Sequence, residues 1–307
     1  MRHPLKRCMQ AASLLLAGAL LTTAASAQTS AEGLSATLAA IKKNHVVRLG
    51  YRESSPPFSF MDPSNRPIGY SLELCEAIVE EIGVEVDDAD LKIEYVKVTS
   101  DDRIPAVVQN KIDLECGSTT ANAERAKQVA FSPLMFVAGT KLMVPKTSTI
   151  SAPKDLQGKT VVVTKGTTNE QAMHTLDKKF TLGLNIVASP DHEQSYQMLV
   201  DGKADAFATD DILLYGLIAR HKTQDKFKVT GEYLSYDPYG IMFRKGEPQL
   251  TALVERAFRK LGSNRDLIPL YNKWFVARLP TGEKLGVSIS PQLEEAFKVL
   301  DDTQGAN

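Results

Sequence analysis

The sequence has few of the residues on which metal and disulfide chemistry depend. Its 307 residues include three cysteines, five histidines and one tryptophan. It contains no His-x-x-x-His pair, no paired-cysteine motif and no Walker loop, so we expect neither a metal site nor a cofactor. Basic and acidic residues number 36 and 37, and this balance gives no support for nucleic-acid binding.

Long hydrophobic runs are also scarce, and the clearest one covers residues 11–21. Arg2, Lys6 and Arg7 precede this run, and the small residues ASA follow it at 25–27. The pattern is typical of a secretory signal peptide, and the run is too short to span a bilayer. We therefore expect an exported mature chain of 280 residues, whose formal charge changes from −1 to −4 because three basic residues and no acid are removed.

Short β-rich runs alternate with amphipathic helical patterns along the chain. The runs include VVRLGYR at 46–52, LKIEYVKV at 91–98, TVVVTKG at 160–166 and ADAFATD at 204–210. Helical patterns such as SLELCEAIVEEIG at 71–83 lie between them, and residues 249–300 are mainly helical in pattern. This alternation predicts an α/β protein with largely parallel sheets.

Residues 98–119 and 187–210 form a degenerate internal repeat. Each copy has a strand end, a serine, an acid, a basic side chain three residues past the serine, a helix, a K-x-D motif and a second strand. Aligned in this way, Arg103 matches His192, and Ser118 matches Asp210. The repeat predicts two similar α/β lobes. In the second copy, a serine at 189 followed by proline predicts that Ser189 caps the helix.

Most candidate binding residues lie where a predicted strand ends or a predicted helix begins. These points share one edge of an open α/β sheet, where ligands bind, and helix starts with free N–H groups suit anions. Serine and threonine also cap helices, so a single junction leaves a structural role open. The residues at these edges are Ser100, Arg103, Ser118, Thr120, Arg125, Thr164, Thr167, His192 and Asp210.

Six segments between residues 52 and 211 occur in a specific order. They are RESSPPFSF, TSDDRIP, ECGSTTANAER, VVVTKGTTNE, SPDHEQS and ATDD. Together they resemble the periplasmic glutamate/aspartate-binding proteins of amino-acid ABC importers. The resemblance implies a two-lobed type II periplasmic-binding-protein fold, with a mostly parallel sheet in each lobe and two hinge crossings. Lobe 1 would contain residues 28–137 and 239–307, and lobe 2 would contain residues 138–238.

The resemblance also implies a ligand site for glutamate or aspartate. Arg125 would clamp the α-carboxylate, and Asp210 would hold the α-ammonium. Further polar contacts around the head group would come from Ser118, Thr120, Thr164 and Thr167. The side-chain carboxylate would be surrounded by Arg52, Ser100, Arg103 and His192. The implied protein is a periplasmic monomer without cofactor, which delivers its ligand to an ABC permease and ATPase.

Two other functions are compatible with these residues. A sensory ligand-binding protein that serves a receptor would have an identical site. An exported enzyme on the same fold, such as a cyclohexadienyl dehydratase, is the other alternative, and the complete amino-acid clamp argues against it. The segment ECGS is loosely similar to a cysteine-protease nucleophile segment, but threonines occupy positions 119 and 120, where a second cysteine and an aromatic would follow.

Cys75 and Cys116 would remain after removal of the signal peptide, which contains Cys8. Export permits a disulfide between them. Cys75 lies on a predicted helix that should pack on the sheet carrying Cys116. A disulfide and two buried free thiols therefore both remain open.

Overall fold

The computed structural model describes residues 33–301, and the predicted signal peptide lies outside them. None of the helices within this part of the chain combines the length and hydropathy that a bilayer span requires. The helices are α1 (Ala36–Asn44), α2 (Tyr70–Val86), α3 (Arg103–Val108), α4 (Thr168–Phe180), α5 (His192–Val200), α6 (Asp211–Arg220), α7 (Pro248–Ser263), α8 (Leu267–Tyr271) and α9 (Pro291–Val299).

The strands alternate with these helices over most of the chain. They are β1 (Val46–Tyr51), β2 (Ser54–Ser55), β3 (Ser59–Met61), β4 (Pro67–Ile68), β5 (Lys92–Lys97), β6 (Leu114–Glu115), β7 (Val129–Phe131), β8 (Phe136–Ala138), β9 (Thr140–Pro145), β10 (Thr160–Thr164), β11 (Asn185–Ser189), β12 (Ala206–Asp210), β13 (Phe227–Thr230), β14 (Asp237–Tyr239) and β15 (Met242–Arg244).

Two five-stranded sheets organise the chain, and they share one topology. The first sheet has the order β5-β1-β6-β15-β7, and the second has the order β11-β10-β12-β9-β13. In each sheet four strands run in the same direction, and the fourth strand in the order, β15 or β9, is antiparallel to both of its neighbours. The sheets are therefore mostly parallel, as predicted, with one antiparallel strand in each. The antiparallel strands β9 and β15 directly follow the two chain crossings between the sheets.

The predicted repeat coincides with equivalent crossovers in the two sheets. The first copy runs from β5 through α3 to β6, and the second runs from β11 through α5 to β12. Arg103 and His192, which the repeat aligned, are the first residues of α3 and α5. The predicted cap of α5 is wrong, because the side chain of Asp191, not Ser189, accepts a hydrogen bond from the Gln194 N–H.

The hydrophobic core follows the side-chain alternation of the strands. In β10, Val161 and Val163 pack on one face of the second sheet, whereas Val162 packs on the other with Phe207. This division is expected for a sheet covered by helices on both faces. A larger cluster surrounds the first sheet and includes Trp274 and Phe275, which are buried as packing residues.

The two chain crossings lie side by side. Strands β8 and β14 pair in antiparallel orientation, with Phe136 opposite Tyr239 and Ala138 opposite Asp237. The lobe boundaries that the resemblance implies, at residues 137–138 and 238–239, fall within this pair. The carboxyl ends of the parallel strands in both sheets carry the predicted binding residues, as expected for open α/β sheets.

Candidate functional site

A small cavity lies between the two sheets. It brings together seven of the ten predicted binding residues, although they come from five separate stretches of the chain. Its lining consists of Ser100, Arg103, Ser118, Thr120, Thr167, Thr168, Asn169, His192, Asp210 and Leu213. Three predicted residues, Arg52, Arg125 and Thr164, do not line it directly. Among residues 33–301 no cluster of His, Cys, Asp or Glu is arranged to hold a metal ion.

Arg52 follows the carboxyl end of β1, and its side chain is 1% exposed. Its backbone N–H donates to the Ser59 hydroxyl at 2.8 Å, which fixes the start of the side chain. Neither terminal guanidinium nitrogen has a hydrogen-bond partner among the described residues. Burial, with a smaller effect of the positive charge of Arg103, lowers the pKa of Arg52 to about 10. The group stays charged at neutral pH, and a buried unpaired charge is costly without an anion.

Arg103 supplies a second buried guanidinium close to the first. One of its terminal nitrogens donates to the Ser118 carbonyl at 3.2 Å and to the Thr119 hydroxyl at 2.7 Å. Its Nε has no partner within residues 33–301, and neither do the hydroxyls of Ser100 and Ser118. These three groups line the cavity and are available to donate to an oxyanion in it.

His192 also lines the cavity, as a neutral imidazole. Burial, together with the charges of Arg52 and Arg103, holds its pKa well below the usual value. Its Nδ1 lies 2.7 Å from the Thr164 hydroxyl, which lies 2.8 Å from the Ser195 hydroxyl. Thr164 is fully buried behind the imidazole, so the structure places it as a support for His192.

Arg125 lies outside the cavity lining, and it hydrogen-bonds the cavity residue Thr120 and a loop of the second sheet. It begins a 3₁₀ turn, and its two terminal nitrogens donate to the Thr120 carbonyl at 2.9 Å and the Gly166 carbonyl at 3.3 Å. Burial, followed by the charge of Arg103, lowers its pKa to about 9. A guanidinium has five N–H groups, so these two bonds leave donors available for a carboxylate.

Asp210 is the acidic group of the cavity and ends β12. Its carboxylate accepts hydrogen bonds from the Asn169 amide at 2.9 Å and from the Tyr239 hydroxyl. Burial and the nearby charge of Asp237 raise its pKa to about 7. A bound cation would relieve this penalty, because it favours the ionised carboxylate.

The threonines near Asp210 make bonds within the protein. Thr120 and Thr168 both donate to the Asp237 carboxylate, at 3.1 and 2.8 Å. Thr167 directly precedes α4, and its hydroxyl caps this helix by accepting from the Glu170 N–H. Thr120 and Thr168 therefore connect the cavity lining to strand β14, on which Asp237 lies.

Several residues of the site were not identified from the sequence. Thr168 and Asn169 follow Thr167 in the first turn of α4, so an inspection of the whole turn would have found them. Asp237 and Tyr239 lie on β14, and Glu115 lies on β6. No local sequence pattern indicates that these three residues belong to the site.

The fold and this cavity define a class: a two-lobed binding protein with a polar interlobe site. The bacterial extracellular solute-binding proteins, family 3, match residues 47–277, and the chain belongs to this family. An L-glutamate/L-aspartate-binding protein of Pseudomonas aeruginosa is 39% identical over 289 residues, covering 94% of this chain and 96% of its own. A glutamate/aspartate import solute-binding protein of Escherichia coli is 36% identical, with 95% and 97% covered.

Solved structures agree with the fold. An ancestral arginine-binding protein bound to arginine superimposes with a TM-score of 0.68 and 31% identity, covering 75% of this chain and 98% of its own. An ancestral amino acid-binding protein described as a precursor of cyclohexadienyl dehydratase has a TM-score of 0.67 and 30% identity, with 78% and 99% covered. The chain therefore has the type II periplasmic-binding-protein fold.

Proposed function

We propose that this protein captures glutamate and aspartate in the cavity and delivers them to an ABC importer. The observation that carries the proposal is a pair of buried arginines: both terminal nitrogens of Arg52 and the Nε of Arg103 have no hydrogen-bond partner among the described residues. Asp210 lines the same cavity. A dicarboxylic amino acid has the complementary arrangement of two anions and one cation. The names of the related proteins from P. aeruginosa and E. coli support the same ligands.

At the side-chain end, the ligand carboxylate would accept from Arg52, Arg103 and the Ser100 hydroxyl. Arginine suits this role because its planar fork makes paired bonds to carboxylates. His192 would donate from Nε2, which requires Nδ1 to accept from the Thr164 hydroxyl behind it. Thr164 would therefore act through His192 rather than touch the ligand.

At the head-group end, Arg125 would bind the α-carboxylate with the N–H groups that the Thr120 and Gly166 carbonyls leave free. The Ser118 hydroxyl would add a donor there, and Thr120 and Thr167 would shape the wall. Asp210 would pair with the α-ammonium. These contacts are common to all amino acids, so they would provide affinity without selecting the side chain.

Binding would close two lobes, which we assign to residues 28–137 with 239–307 and to residues 138–238. Close contacts between the proposed lobes support this assignment. Lys165 forms an ion pair with Asp101 at 2.9 Å, and the Arg220 guanidinium lies 5.5 Å from the Phe60 ring centre. Strands β8 and β14 would carry the rotation as a hinge. Scattering with saturating glutamate should show a more compact protein than without it, whereas identical profiles would contradict closure.

We further propose that the signal peptide directs the chain to the periplasm, where a monomer would meet the permease and ATPase. Neighbouring genes for these two subunits would support transport, and a neighbouring receptor gene would instead support a sensory role. An assay for turnover of cyclic amino-acid precursors tests the enzymatic alternative, which shares this fold.

Calorimetry on protein refolded free of carried-over ligand tests the proposed ligands. Glutamate and aspartate should bind, and glutamine should bind far more weakly, on the order of 10⁴-fold in favourable cases, because it leaves buried charged donors unpaired. Arg103→Ala should weaken glutamate more than glutamine, whereas Arg125→Ala should weaken both. Arg66→Ala is the control, because Arg66 is exposed and pairs with Asp62. Equal binding of glutamate and glutamine by the wild-type protein would contradict the proposal.

A further inference from the structure

Glu115 is a buried acid in the first sheet, beside the side-chain end of the cavity. It is the last residue of β6, and its side chain is fully buried. Its Oε2 accepts from the Thr119 hydroxyl at 2.5 Å, and its Oε1 has no hydrogen-bond partner in the described part of the chain. Because acidic side chains are almost never fully buried without a partner, this carboxylate requires a charge nearby.

The two arginines of the side-chain end provide that charge. Arg103 donates to the Thr119 hydroxyl that in turn donates to Glu115, so one hydroxyl connects the guanidinium with the carboxylate. The charge of Glu115 also acts on Arg52, where it opposes the lowering of the pKa by burial. A Cβ at Gly117 would lie 2.3 Å from Glu115 Oε1 and 2.9 Å from Arg52 Cγ. The lack of a side chain there leaves the space that Glu115 and Arg52 occupy.

We propose that Glu115 determines specificity by setting the charge of the side-chain end to match a single carboxylate. This inference rests on the proposed function. Arg52 and Arg103 contribute two positive charges, and Glu115 contributes one negative charge, so one unit of positive charge remains. The neutral His192 adds none. A ligand carboxylate brings the sum to zero, a neutral amide leaves a buried charge, and a phosphate side chain brings an excess of negative charge.

A purely structural role for Glu115 makes a different prediction. If Glu115 only holds Arg103 in place through Thr119, its neutralisation would disorganise the arginine and weaken glutamate relative to glutamine. If its charge matters, neutralisation would remove a repulsion that acts on glutamate and not on glutamine. The ratio of the two dissociation constants therefore separates the two roles.

The test compares Glu115→Gln with wild-type protein by calorimetry at fixed pH and ionic strength. The ratio of the glutamine to the glutamate dissociation constant should rise by about tenfold, the lower end of the effect of a like charge within a few ångströms. Glu247→Gln is the matched control. Glu247 is also a buried acid that accepts from a threonine hydroxyl, Thr37 at 2.7 Å, and it pairs with Arg244 away from the cavity. This control should leave the ratio unchanged.

Thr119→Val separates charge from position, because it removes the connecting hydroxyl and keeps the charge of Glu115. It should lower the ratio by weakening glutamate. A Glu115→Gln protein that also lowers the ratio, or leaves it as the control does, would overturn the inference.

A measurement on the wild-type protein is independent of how the variants fold. O-phosphoserine carries about −1.5 to −2 on its side chain at pH 7. It should bind much more weakly than glutamate, and equal binding would contradict the charge match. If wild-type protein does not prefer glutamate to glutamine, the proposed function itself fails. This result is distinct from a failure of the charge match alone, in which glutamate is preferred to glutamine but O-phosphoserine binds equally well.

Discussion

Gly216 lies inside α6 where this helix approaches the loop that follows β2. A Cβ added to Gly216 would lie 2.2 Å from the Pro56 carbonyl oxygen and 2.9 Å from its carbonyl carbon. Carbon and oxygen normally approach no closer than about 3.3 Å, so alanine would force α6 and the loop apart by roughly 1 Å. Pro56 and Gly216 belong to different proposed lobes, so the forced separation opposes closure.

Gly216→Ala should therefore weaken glutamate binding and stabilise the ligand-free protein. Overpacking of this kind typically costs about 1–3 kcal/mol, which corresponds to an affinity about 5- to 150-fold lower. Alanine in a helix interior is favoured over glycine by about 1 kcal/mol. The melting temperature without ligand should therefore rise by about 2–4 °C, because the open lobes relieve the contact.

Calorimetry and thermal melts of the same preparations would test both effects. Gly83→Ala is the control, since Gly83 lies in α2 and a Cβ there would meet only the Asp88 carbonyl at 3.1 Å. This control should leave the affinity unchanged. A Gly216→Ala protein that binds glutamate as tightly as wild type would refute the role of this contact in closure. Lower stability without ligand would refute the assumption that the contact forms only on closure.

Two further predictions concern a titrating group and a covalent bond. Asp210, with its pKa of about 7, must lose a proton to pair with an ammonium group, so affinity should fall about tenfold from pH 8 to pH 6. Calorimetry in buffers of different ionisation enthalpy should detect proton release, and Asp210→Asn should bind weakly without this pH dependence. In the structure Cys75 and Cys116 form a disulfide across a sequence separation of 41, so its reduction should cost about 4 kcal/mol of stability. Two titratable thiols in the unfolded, unreduced mature protein would contradict the bond, and a pH-independent affinity would contradict the role of Asp210.

The sequence predicted the fold well because its signals are local or repeated. Strand and helix periodicity indicated the α/β class. The repeat matched Arg103 with His192, and both residues begin a helix in the structure. Local patterns are less reliable for the direction of strands, so the antiparallel additions β9 and β15 were missed. Their orientation depends on where the chain crosses between sheets, which no short pattern reports.

Within the site, sequence reasoning found side chains at strand ends and missed those that support them. Glu115 lies in a short strand, where an acid normally points to solvent, and only the neighbouring arginines explain its burial. Asp237 is separated from Thr120 by more than a hundred residues, and only the pairing of β8 with β14 explains their contact. Thr164 was predicted as a ligand contact, which stays a prediction, and the bond between its hydroxyl and His192 was not foreseen.

The pairing of β8 with β14 has a consequence for the order in which ligand contacts would form. Tyr239 on β14 bonds Asp210, and Asp237 bonds Thr120, so the head-group end lies close to the axis of rotation. Displacement in a rotation grows with distance from its axis, so an opening that separates Arg52 from His192 widely would move the head-group end little. An arriving amino acid would then bind first at the head-group end, through the α-carboxylate and α-ammonium groups that all amino acids share. The contacts to the ligand side chain would form last, far from the hinge axis. A ligand with the wrong side chain could therefore dissociate before the lobes close.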